Sequence, residues 1–478
     1  MNELTINLKT KSDMPLYEQI YRHIKTEIQS GRIACREKLP STRALSKHLE
    51  VSRSTVELAY EQLLSEGYIE SEPCKGFFAA QLEGLYQFAE LNMVSKAGEK
   101  TEKKKYRYDF SPRGIDLSSF PYNVWRKLSK EILVDDRTDL FCLGNSQGEE
   151  RLRNAIRNYL YQARGVNCQP EQIIVGAGND YLLMLLGMVM GEQRKVAFEN
   201  PTYKQAYRLF RNLSCEVMTI DMDKYGMEVS KLCESNADTA YVMPSHQYPL
   251  GIVMPIKRRM ELLRWAGESE ERYIIEDDYD SEFRFDTRPL PSLQGMAGAD
   301  GPVVYLSTCS RSLAPSIRIA YMVLPEHLLP AWRKKYRLYS GTVSRFEQQT
   351  LARFITEGYF TRHLARERVA YKARRDALAA ALNTAFAPGE LTLAGLHTGL
   401  NLLAKLKDPP PDAALRCAAE GEGVQLSLLS DYDLTGEAPS AAGTLVLGYG
   451  SLKDEACASV GETLKKVCMA AREASVTV

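Results

Sequence analysis

The chain has 478 residues, more than a single hydrophobic core ordinarily supports, so two or three domains are expected. Hydrophobic residues make up 44% of the sequence and charged residues 26%, which is typical of globular proteins and excludes disorder along the whole chain. Because 61 basic residues balance 61 acidic ones, any contact with nucleic acid must depend on a local patch of positive charge.

Neither a membrane span nor a metal site is expected. The N-terminal segment lacks the apolar core of a signal peptide, and the longest apolar stretch, residues 181–190, is too short to cross a bilayer. We therefore expect a cytoplasmic protein. The sequence contains no CxxC or HExxH motif, so it predicts no zinc site and no disulfide.

The first eighty residues have the pattern of a small helical unit closed by a hairpin. Apolar residues at intervals of four, from Leu16 to Ile28, predict a helix that stops near Gly31. Two shorter helices follow, with Ser41 and Ser52 as N-caps, and the short connection between them predicts a helix-turn-helix. Two apolar runs after residue 67, separated by a charged turn, predict a hairpin or wing.

Positive charge is concentrated around the two short helices. Residues 32–53 contain six basic side chains and two acidic ones. A helix that begins near Ser52 would place Ser52, Arg53 and Thr55 at its N-terminal end, where side chains reach base edges. The periodicity alone fits a DNA reader and an ordinary three-helix module with a solvated basic face equally well.

Three segments resemble the winged-helix domain of GntR-family transcriptional regulators: PLYEQIYRHIKTEIQSGRI, LPSTRALSKHLEVSRSTVELAYEQLLSEGYIE and KGFF. The resemblance implies that residues 1–80 form a domain that binds a double-stranded DNA operator. By the same resemblance, the DNA contacts fall on Ser41, Arg43, Ser52, Arg53, Thr55 and the wing residues Lys75 and Gly76.

The rest of the chain has a different pattern. Residues 81–108 are rich in lysine and are predicted to be a linker. Residues 109–478 alternate apolar strands with amphipathic helices, which predicts an α/β domain whose ligands bind beyond the carboxyl ends of its strands. After about residue 329 the pattern predicts helices and then a smaller terminal lobe. The strands predicted before it are QIIVGAG, KVAFENP, TAYVMPS, RYIIEDD and PVVYLST.

Polar side chains follow two of these strands. Asp277 can keep a pyridinium nitrogen protonated, and Tyr279 can hydrogen-bond a ring hydroxyl, although alone they would suit a solvated acidic loop better. About thirty residues later, Thr308, Ser310 and Arg318 have the hydroxyls and the guanidinium that suit a phosphate. The two groups together favour a cofactor site.

Residues 109–478 resemble the aminotransferase-like domain of the MocR subfamily, in which a GntR winged helix is fused to a fold-type I aminotransferase domain. The matching segments include SQGEERLRNAIRNYLYQARGVNCQPEQIIVGAG, PSHQYPLGIVMPIKRRMELLRWA, IIEDDYDSEF and SLAPSIRIAYMVLP. The resemblance implies a mostly parallel sheet and a site for pyridoxal 5'-phosphate. It places Asp277 at the pyridine nitrogen, Tyr279 at the ring hydroxyl, Tyr203 stacked on the ring, and Asn179, Asp180, Thr308, Ser310 and Arg318 around the phosphate.

The sequence departs from this family at the reactive position. The family pattern is S-K-S-L-x-P, whose lysine forms a Schiff base with the cofactor, but here Arg311 occupies the lysine position. A guanidinium stays protonated and does not form the imine, so no catalytic residue is expected. The terminal lobe also has no arginine between Arg416 and Arg472, and Val446 lies about where a carboxylate-binding arginine would be expected.

We therefore interpret the chain as a homodimeric transcriptional regulator with little or no transaminase turnover. Its aminotransferase-like domain is expected to sense pyridoxal phosphate, held noncovalently, or a related or amino-compound effector. The first alternative is a pyridoxal phosphate-dependent aminotransferase with an appended DNA-binding domain. The second is a degenerate fold that serves only for dimerisation.

Overall fold

A computed structural model describes residues 6, 8, 14–73, 75–81, 106–134, 138–191, 193–286, 290–436 and 441–476. The chain divides into two units, Met1–Lys103 and Lys104–Val478, here called the head and the body. Most of the predicted linker, residues 82–105, lies outside the described residues. None of the described helices is long and apolar enough to cross a membrane.

The head contains the three predicted helices and the predicted wing. Its elements are α1 (Leu16–Gln29), α2 (Thr42–His48), α3 (Arg53–Ser65), β1 (Ile69–Glu72) and β2 (Gly76–Ala79), with β1 and β2 antiparallel. Both predicted N-caps are confirmed, since the Ser41 hydroxyl accepts a hydrogen bond from the Ala44 amide and that of Ser52 from the Thr55 amide. These bonds satisfy amides that a helix start leaves without intrahelical partners.

Packing of α1 against α3 forms the core of the head. Ile20 and Ile24 from α1 and Val56 and Leu63 from α3 are completely buried, as their helical spacing requires. The Tyr60 hydroxyl, also in this core, donates to a backbone carbonyl before α2. The outer faces of α2 and α3 therefore remain free of core packing.

The body is built on an eight-stranded sheet in the order β4-β11-β10-β9-β8-β5-β6-β7. The four pairs from β10 to β6 are parallel, whereas β11 is antiparallel to both neighbours and β7 is antiparallel to β6. The strands before the terminal lobe are β3 (Tyr108–Asp109), β4 (Ile173–Gly176), β5 (Lys195–Asn200), β6 (Glu216–Asp223), β7 (Gly226–Met227), β8 (Thr239–Val242), β9 (Tyr273–Asp278), β10 (Val303–Thr308) and β11 (Ala320–Val323). All five predicted strands are present, and the mostly parallel α/β fold is confirmed.

Helices accompany this sheet and extend from it. They are α4 (Tyr122–Val134), α5 (Glu150–Arg164), α6 (Asn179–Met190), α7 (Lys204–Asn212), α8 (Val229–Glu234), α9 (Ile256–Gly267), α10 (Leu293–Ala297), α11 (Leu329–Tyr336), α12 (Arg345–Thr356) and α13 (Tyr359–Ala385). Residues of α6 and α7 share a buried cluster with one set of sheet side chains, and residues of α5 and α12 share another. The central strands are consequently buried along their length.

The predicted terminal lobe is a four-stranded antiparallel sheet in the order β12-β13-β16-β15. Its elements are β12 (Leu391–Ala394), β13 (Asn401–Leu406), α14 (Asp412–Gly421), β14 (Val424–Gln425), β15 (Ser427–Leu428), β16 (Thr444–Gly448) and α15 (Asp454–Val476). The C-terminal helices and α13 bury the apolar face of this sheet. Tyr108 in β3 is also buried here and pairs with Val424, so the last residue of the predicted linker lies within the body.

Candidate functional site

A cavity of about 350 Å³ opens where β9 and β10 end. These strands are parallel and aligned so that Asp277 lies beside Leu306, which brings polar residues at both carboxyl ends to one edge of the sheet. All eight residues predicted to bind a cofactor line this cavity: Asn179, Asp180, Tyr203, Asp277, Tyr279, Thr308, Ser310 and Arg318. The other lining residues are Arg113, Gln205, Met243, Tyr248, Arg311 and Pro315.

Asp277 is the acidic group at the base of the cavity. The Tyr241 hydroxyl donates to its Oδ2, and the Asn179 side-chain amide donates to its Oδ1 at 3.3 Å. Burial raises the pKa of Asp277 to about 7, although the hydrogen bond from Tyr241 opposes the rise. A cationic partner, such as a protonated ring nitrogen, would stabilise the ionised carboxylate here.

Thr308, Ser310 and Arg318 provide the donors predicted for a phosphate. The Thr308 hydroxyl donates to Ser310 Oγ at 2.9 Å, so both hydroxyls lie at one point of the lining. The Arg318 guanidinium donates to the Ala177 carbonyl at 3.0 Å, immediately before α6 begins at Asn179. Amides at a helix start also attract anions, so the donors converge from three elements.

Gly178 allows Arg318 to approach the start of α6. A Cβ added at Gly178 would lie 2.3 Å from Arg318 Nη2, and the residue has a φ of +102°. A larger residue would therefore displace the guanidinium and strain the backbone at the same point. The start of α6 thus also holds the Arg318 guanidinium in place.

Tyr279 belongs to a buried triad with His246 and Asp280. Its hydroxyl oxygen lies 2.8 Å from His246 Nδ1, and the same nitrogen lies 2.9 Å from Asp280 Oδ2. A carboxylate only accepts hydrogen bonds, so His246 Nδ1 carries a hydrogen and donates it to Asp280. The Tyr279 oxygen can only accept from that same hydrogen. The phenolic hydrogen of Tyr279 therefore remains available for an oxygen in the cavity.

His246 is held in place by close packing. Its Nε2 is buried and has no hydrogen-bond partner among the described residues. A Cβ added at Gly399, where φ is +73°, would lie 1.8 Å from His246 Cε1. Neither His246 nor Asp280 was predicted, although both lie in segments, PSHQYPL and EDDYDSE, that the resemblance covered.

Tyr203 lies at the side of the cavity predicted to stack on a ring. Its hydroxyl donates to Gln205, and the Arg113 guanidinium lies 5.3 Å from its ring centroid. Burial raises the pKa of Tyr203 to about 12, so the phenol is neutral. Its stacking on a ligand ring stays a prediction.

Arg311 projects from the residues after β10 and is 9% exposed. Its Nη2 donates to the Pro112 carbonyl at 2.5 Å, and its guanidinium carbon lies 5.8 Å from the Tyr279 ring centroid. Its Nη1 is buried without a partner in the described part of the chain. No lysine is among the described residues that line the cavity.

A second buried network supports the end of β9. The Arg164 guanidinium donates to Asp278 at 2.8 Å and to Ser245 at 2.5 Å, and the Tyr305 hydroxyl also donates to Asp278 at 2.6 Å. Burial alone would raise the pKa of Asp278, but the Arg164 charge and these hydrogen bonds hold it below its usual value. Asp278 is therefore a fixed anion directly behind the cavity.

The predicted DNA contacts lie on the helix-turn-helix and on the wing. Arg53, with 65% of its side chain exposed, pairs with Glu57 at 2.7 Å, and Lys75 pairs with Glu72 at 2.8 Å at the wing tip. Ser41, Arg43 and Ser52 are also exposed, whereas Thr55 and Gly76 are half-buried. Two surface ion pairs therefore hold basic side chains that phosphate groups could engage instead.

Comparison with known proteins agrees with this architecture. Residues 16–79 match the family described as bacterial regulatory proteins, gntR family, and residues 116–421 match aminotransferase class I and II. The probable rhizopine catabolism regulatory protein MocR of Rhizobium meliloti is 31% identical to this chain, over 93% of the chain and 92% of its own length. The chain belongs to the MocR subfamily of the GntR regulators.

Two further comparisons support both parts of this MocR-type regulator. The uncharacterised HTH-type transcriptional regulator YdeL of Bacillus subtilis is 37% identical over 97% of this chain and 98% of its own length. A crystal structure of the multiple substrate aminotransferase from Thermococcus profundus covers 81% of this chain and 97% of its own, with a TM-score of 0.69 and 22% identity. The likeness to the Thermococcus profundus structure shows the fold of the body. The protein is thus a helix-turn-helix transcriptional regulator with an aminotransferase-like domain.

Proposed function

We propose that the body cavity binds pyridoxal 5'-phosphate or a related compound without a covalent bond, and that its occupancy controls operator binding by the heads of a homodimer. The observation that carries this proposal is the convergence of eight predicted binding residues on one cavity that contains Arg311 in place of the reactive lysine. Such a site keeps the groups for recognition and lacks the group for chemistry.

The residues present fit the cofactor. Asn179 Oδ1 is buried without a partner among the described residues, so it can accept a hydrogen bond from a ligand in the cavity. Asp277 would hold the ring nitrogen, the Tyr279 hydroxyl would donate to the ring oxygen, and the donors around Thr308, Ser310 and Arg318 would hold the phosphate. When bound, pyridoxal phosphate supplies a reactive carbonyl on an electron-withdrawing ring.

Arg311 argues against the aminotransferase alternative. A Schiff base requires an amine that can lose its proton, and a guanidinium retains its charge at any physiological pH. The described lining of the cavity has no lysine that could replace it. The body would therefore serve to recognise a ligand rather than to convert it.

The head would place the N-terminal end of α3 in the major groove. Ser41, Arg43, Ser52, Arg53 and Thr55 would contact the groove and its flanking phosphates, and Lys75 and Gly76 would contact the minor groove or the backbone. In a cytoplasmic homodimer, two heads would bind paired half-sites. Division of the chain into 1–80, a linker at 81–108 and 109–478 remains part of this proposal, and limited trypsin digestion tests it.

Calorimetry on extensively dialysed protein tests whether the cavity binds pyridoxal 5'-phosphate without a covalent bond. Pyridoxal 5'-phosphate should bind with measurable heat, dialysis should remove it, and borohydride should leave no cofactor attached. Gel shifts on the operator should then differ between the free and the loaded protein. The absence of binding by the intact chain would contradict a sensor and leave dimerisation as the role of the body. A cofactor that borohydride reduction attaches permanently to a cavity residue of the unaltered chain would instead support the enzyme.

A further inference from the structure

We infer that Arg311 binds a carboxylate of the effector, so that the ligand carries a carboxylate in addition to its phosphate. The ligand class is a phosphorylated pyridoxyl compound with a carboxylate on the ring or on an attached amino acid. This inference rests on the proposed function, because it assumes that the cavity takes a pyridoxyl phosphate. It concerns Arg311, at which the chain departs from the family pattern.

The first observation is the incomplete pairing of the Arg311 guanidinium. It donates through Nη2 to the Pro112 carbonyl, but Nη1 is buried without a partner among the described residues. A buried charged donor is costly to leave unpaired, and a guanidinium cannot shed its proton to avoid that cost. Arg311 is among the residues that line the cavity, so a ligand there can supply an acceptor for its guanidinium.

Two other buried arginines of the body pair with carboxylates, whereas Arg153 donates only to backbone carbonyls. Arg164 donates to Asp278 at 2.8 Å, and Arg374 donates to Asp116 and to Asp454 at 2.6 Å each. Among the residues that the structure describes, Arg311 makes no such pair with a carboxylate. Its one described hydrogen bond is to the neutral carbonyl of Pro112.

Arg113 adds a second cation at the same side. It follows Pro112, whose carbonyl accepts from Arg311, and its guanidinium lies over the Tyr203 ring. Burial raises the pKa of Tyr203 to about 12, and the charges of Arg113 and Arg311 both act to lower it. Two positive side chains therefore act on one phenol of the cavity wall.

The chemistry of a guanidinium selects among ligands. An aldehyde or an amine gives Arg311 no anionic acceptor, whereas a carboxylate matches its planar donors and neutralises its charge. A phosphate is served elsewhere in the lining, by Thr308, Ser310 and Arg318. Arg311 would thus take over the carboxylate recognition for which the terminal lobe has no arginine between Arg416 and Arg472.

The test uses two preformed ligands that differ only in a carboxylate. N-(5'-phosphopyridoxyl)-L-leucine and N-(5'-phosphopyridoxyl)isoamylamine share the ring, the phosphate and the side chain. By calorimetry, the full-length dimer should bind the leucine compound at least about tenfold tighter, as a charge-assisted bidentate contact implies. The 5'-phosphate of 4-pyridoxic acid, a third ligand, shows whether a ring carboxylate gives the same gain.

The variants assign the gain to Arg311. Arg311→Gln, which keeps a polar amide but removes the charge, should reduce the preference to about one while leaving the amine compound bound. Arg318→Gln should weaken both compounds by one common factor. Arg113→Gln removes the neighbouring positive charge at an exposed position, where the substitution should not disturb folding. It is expected to lower the preference by less than about fivefold.

Each result is decisive. Equal affinities of the unaltered protein for the paired compounds, or a preference that survives in Arg311→Gln, would overturn the inference and leave the proposed function standing. A preference abolished only by Arg113→Gln would overturn it as well. If neither pyridoxyl compound binds, the proposed function fails and the inference fails with it.

Discussion

Asp277 and Asp278 are neighbours at the end of β9, yet their pKa values are displaced in opposite directions. Burial raises that of Asp277 to about 7, whereas Arg164 and two hydroxyl donors hold that of Asp278 below its usual value despite equal burial. Side chains alternate across a strand, so one carboxyl meets the cavity and the other meets Arg164. The pair separates a structural anion from a carboxyl that can exchange a proton near neutral pH.

Replacing Asp277 by Asn should therefore change the pH dependence of stability. The folded protein holds the Asp277 proton up to about pH 7, whereas the unfolded chain loses it near pH 4. Because the folded state binds more protons in that window, wild-type stability falls as pH rises through it, and Asp277→Asn lacks this decline.

Urea denaturation of the ligand-free proteins measures this effect. Between pH 5 and pH 8, the unfolding free energy of Asp277→Asn should gain about 2–3 kcal/mol relative to the wild type. Glu199 and Glu282, whose burial also raises the pKa to about 7, contribute equally to both proteins and cancel. Parallel profiles for the two proteins would show that Asp277 does not carry the raised pKa.

Gly399→Ala should disturb the Tyr279–His246–Asp280 triad. The new methyl group would overlap His246, which has no room to move without leaving Asp280. We expect a loss of about 3 kcal/mol in stability and a weaker affinity for pyridoxal phosphate, since the Tyr279 donor is displaced with the imidazole.

Gly389→Ala is the matched control for this variant. Gly389 has a similar backbone, with a φ of +85°, but a Cβ there meets nothing within 4 Å. Its cost should be that of the backbone alone, about 1 kcal/mol, with ligand affinity unchanged. Equal effects of the two variants in thermal melts and calorimetry would mean that backbone strain, rather than displacement of His246, explains the loss.

Arg311→Lys should restore covalent attachment of pyridoxal phosphate. The change supplies an amine at the family position, while Asp277, Tyr279 and the phosphate donors stay in place. Borohydride treatment followed by peptide mass spectrometry should locate the cofactor on residue 311. Arg113→Lys, which adds a lysine elsewhere in the lining, should remain unmodified there. A variant that takes up no cofactor in excess would indicate that the cavity differs from its family beyond this residue.

Arg53→Ala should abolish specific operator binding with little effect on stability. Its ion pair with Glu57 is exposed and contributes less than about 1 kcal/mol, so the loss would reflect contacts with DNA. Arg22 in α1 has the same i,i+4 relation to Glu18, with 59% of its side chain exposed, but lies outside the predicted contacts. Gel shifts over a range of salt should show unchanged binding for Arg22→Ala. Equal losses in both variants would place the interface elsewhere.

The sequence predicted which segments form strands better than it predicted which strands lie next to one another. The runs that became β5, β8, β9 and β10 are apolar because both faces of the sheet are covered. In contrast, β6 is partly exposed along its length and mixes polar with apolar residues, so no strand was predicted there. Strand order follows from packing over long chain separations, which a local pattern does not contain.

The same limit applied to the cavity. Asp277 and Tyr279 were identified because they follow one strand in a recognisable motif, and their place in the lining is as expected. His246 reaches Tyr279 across 33 positions, and Tyr241 reaches Asp277 across 36. Only the parallel pairing of β8 with β9 brings these segments together. Side chains recruited from a neighbouring strand give no signal in a single sequence.

Arg164 is the last residue of α5, and its bond to Asp278 joins that helix to the floor of the cavity. Asp278 precedes Tyr279 and follows Asp277, so a ligand that repositions either residue pulls on the same short length of backbone. The buried ion pair resists separation, because parting the two groups would leave each charge unpaired in the protein interior. A ligand that shifted the strand end would therefore have to carry the C-terminal end of α5, a helix of fifteen residues, with it.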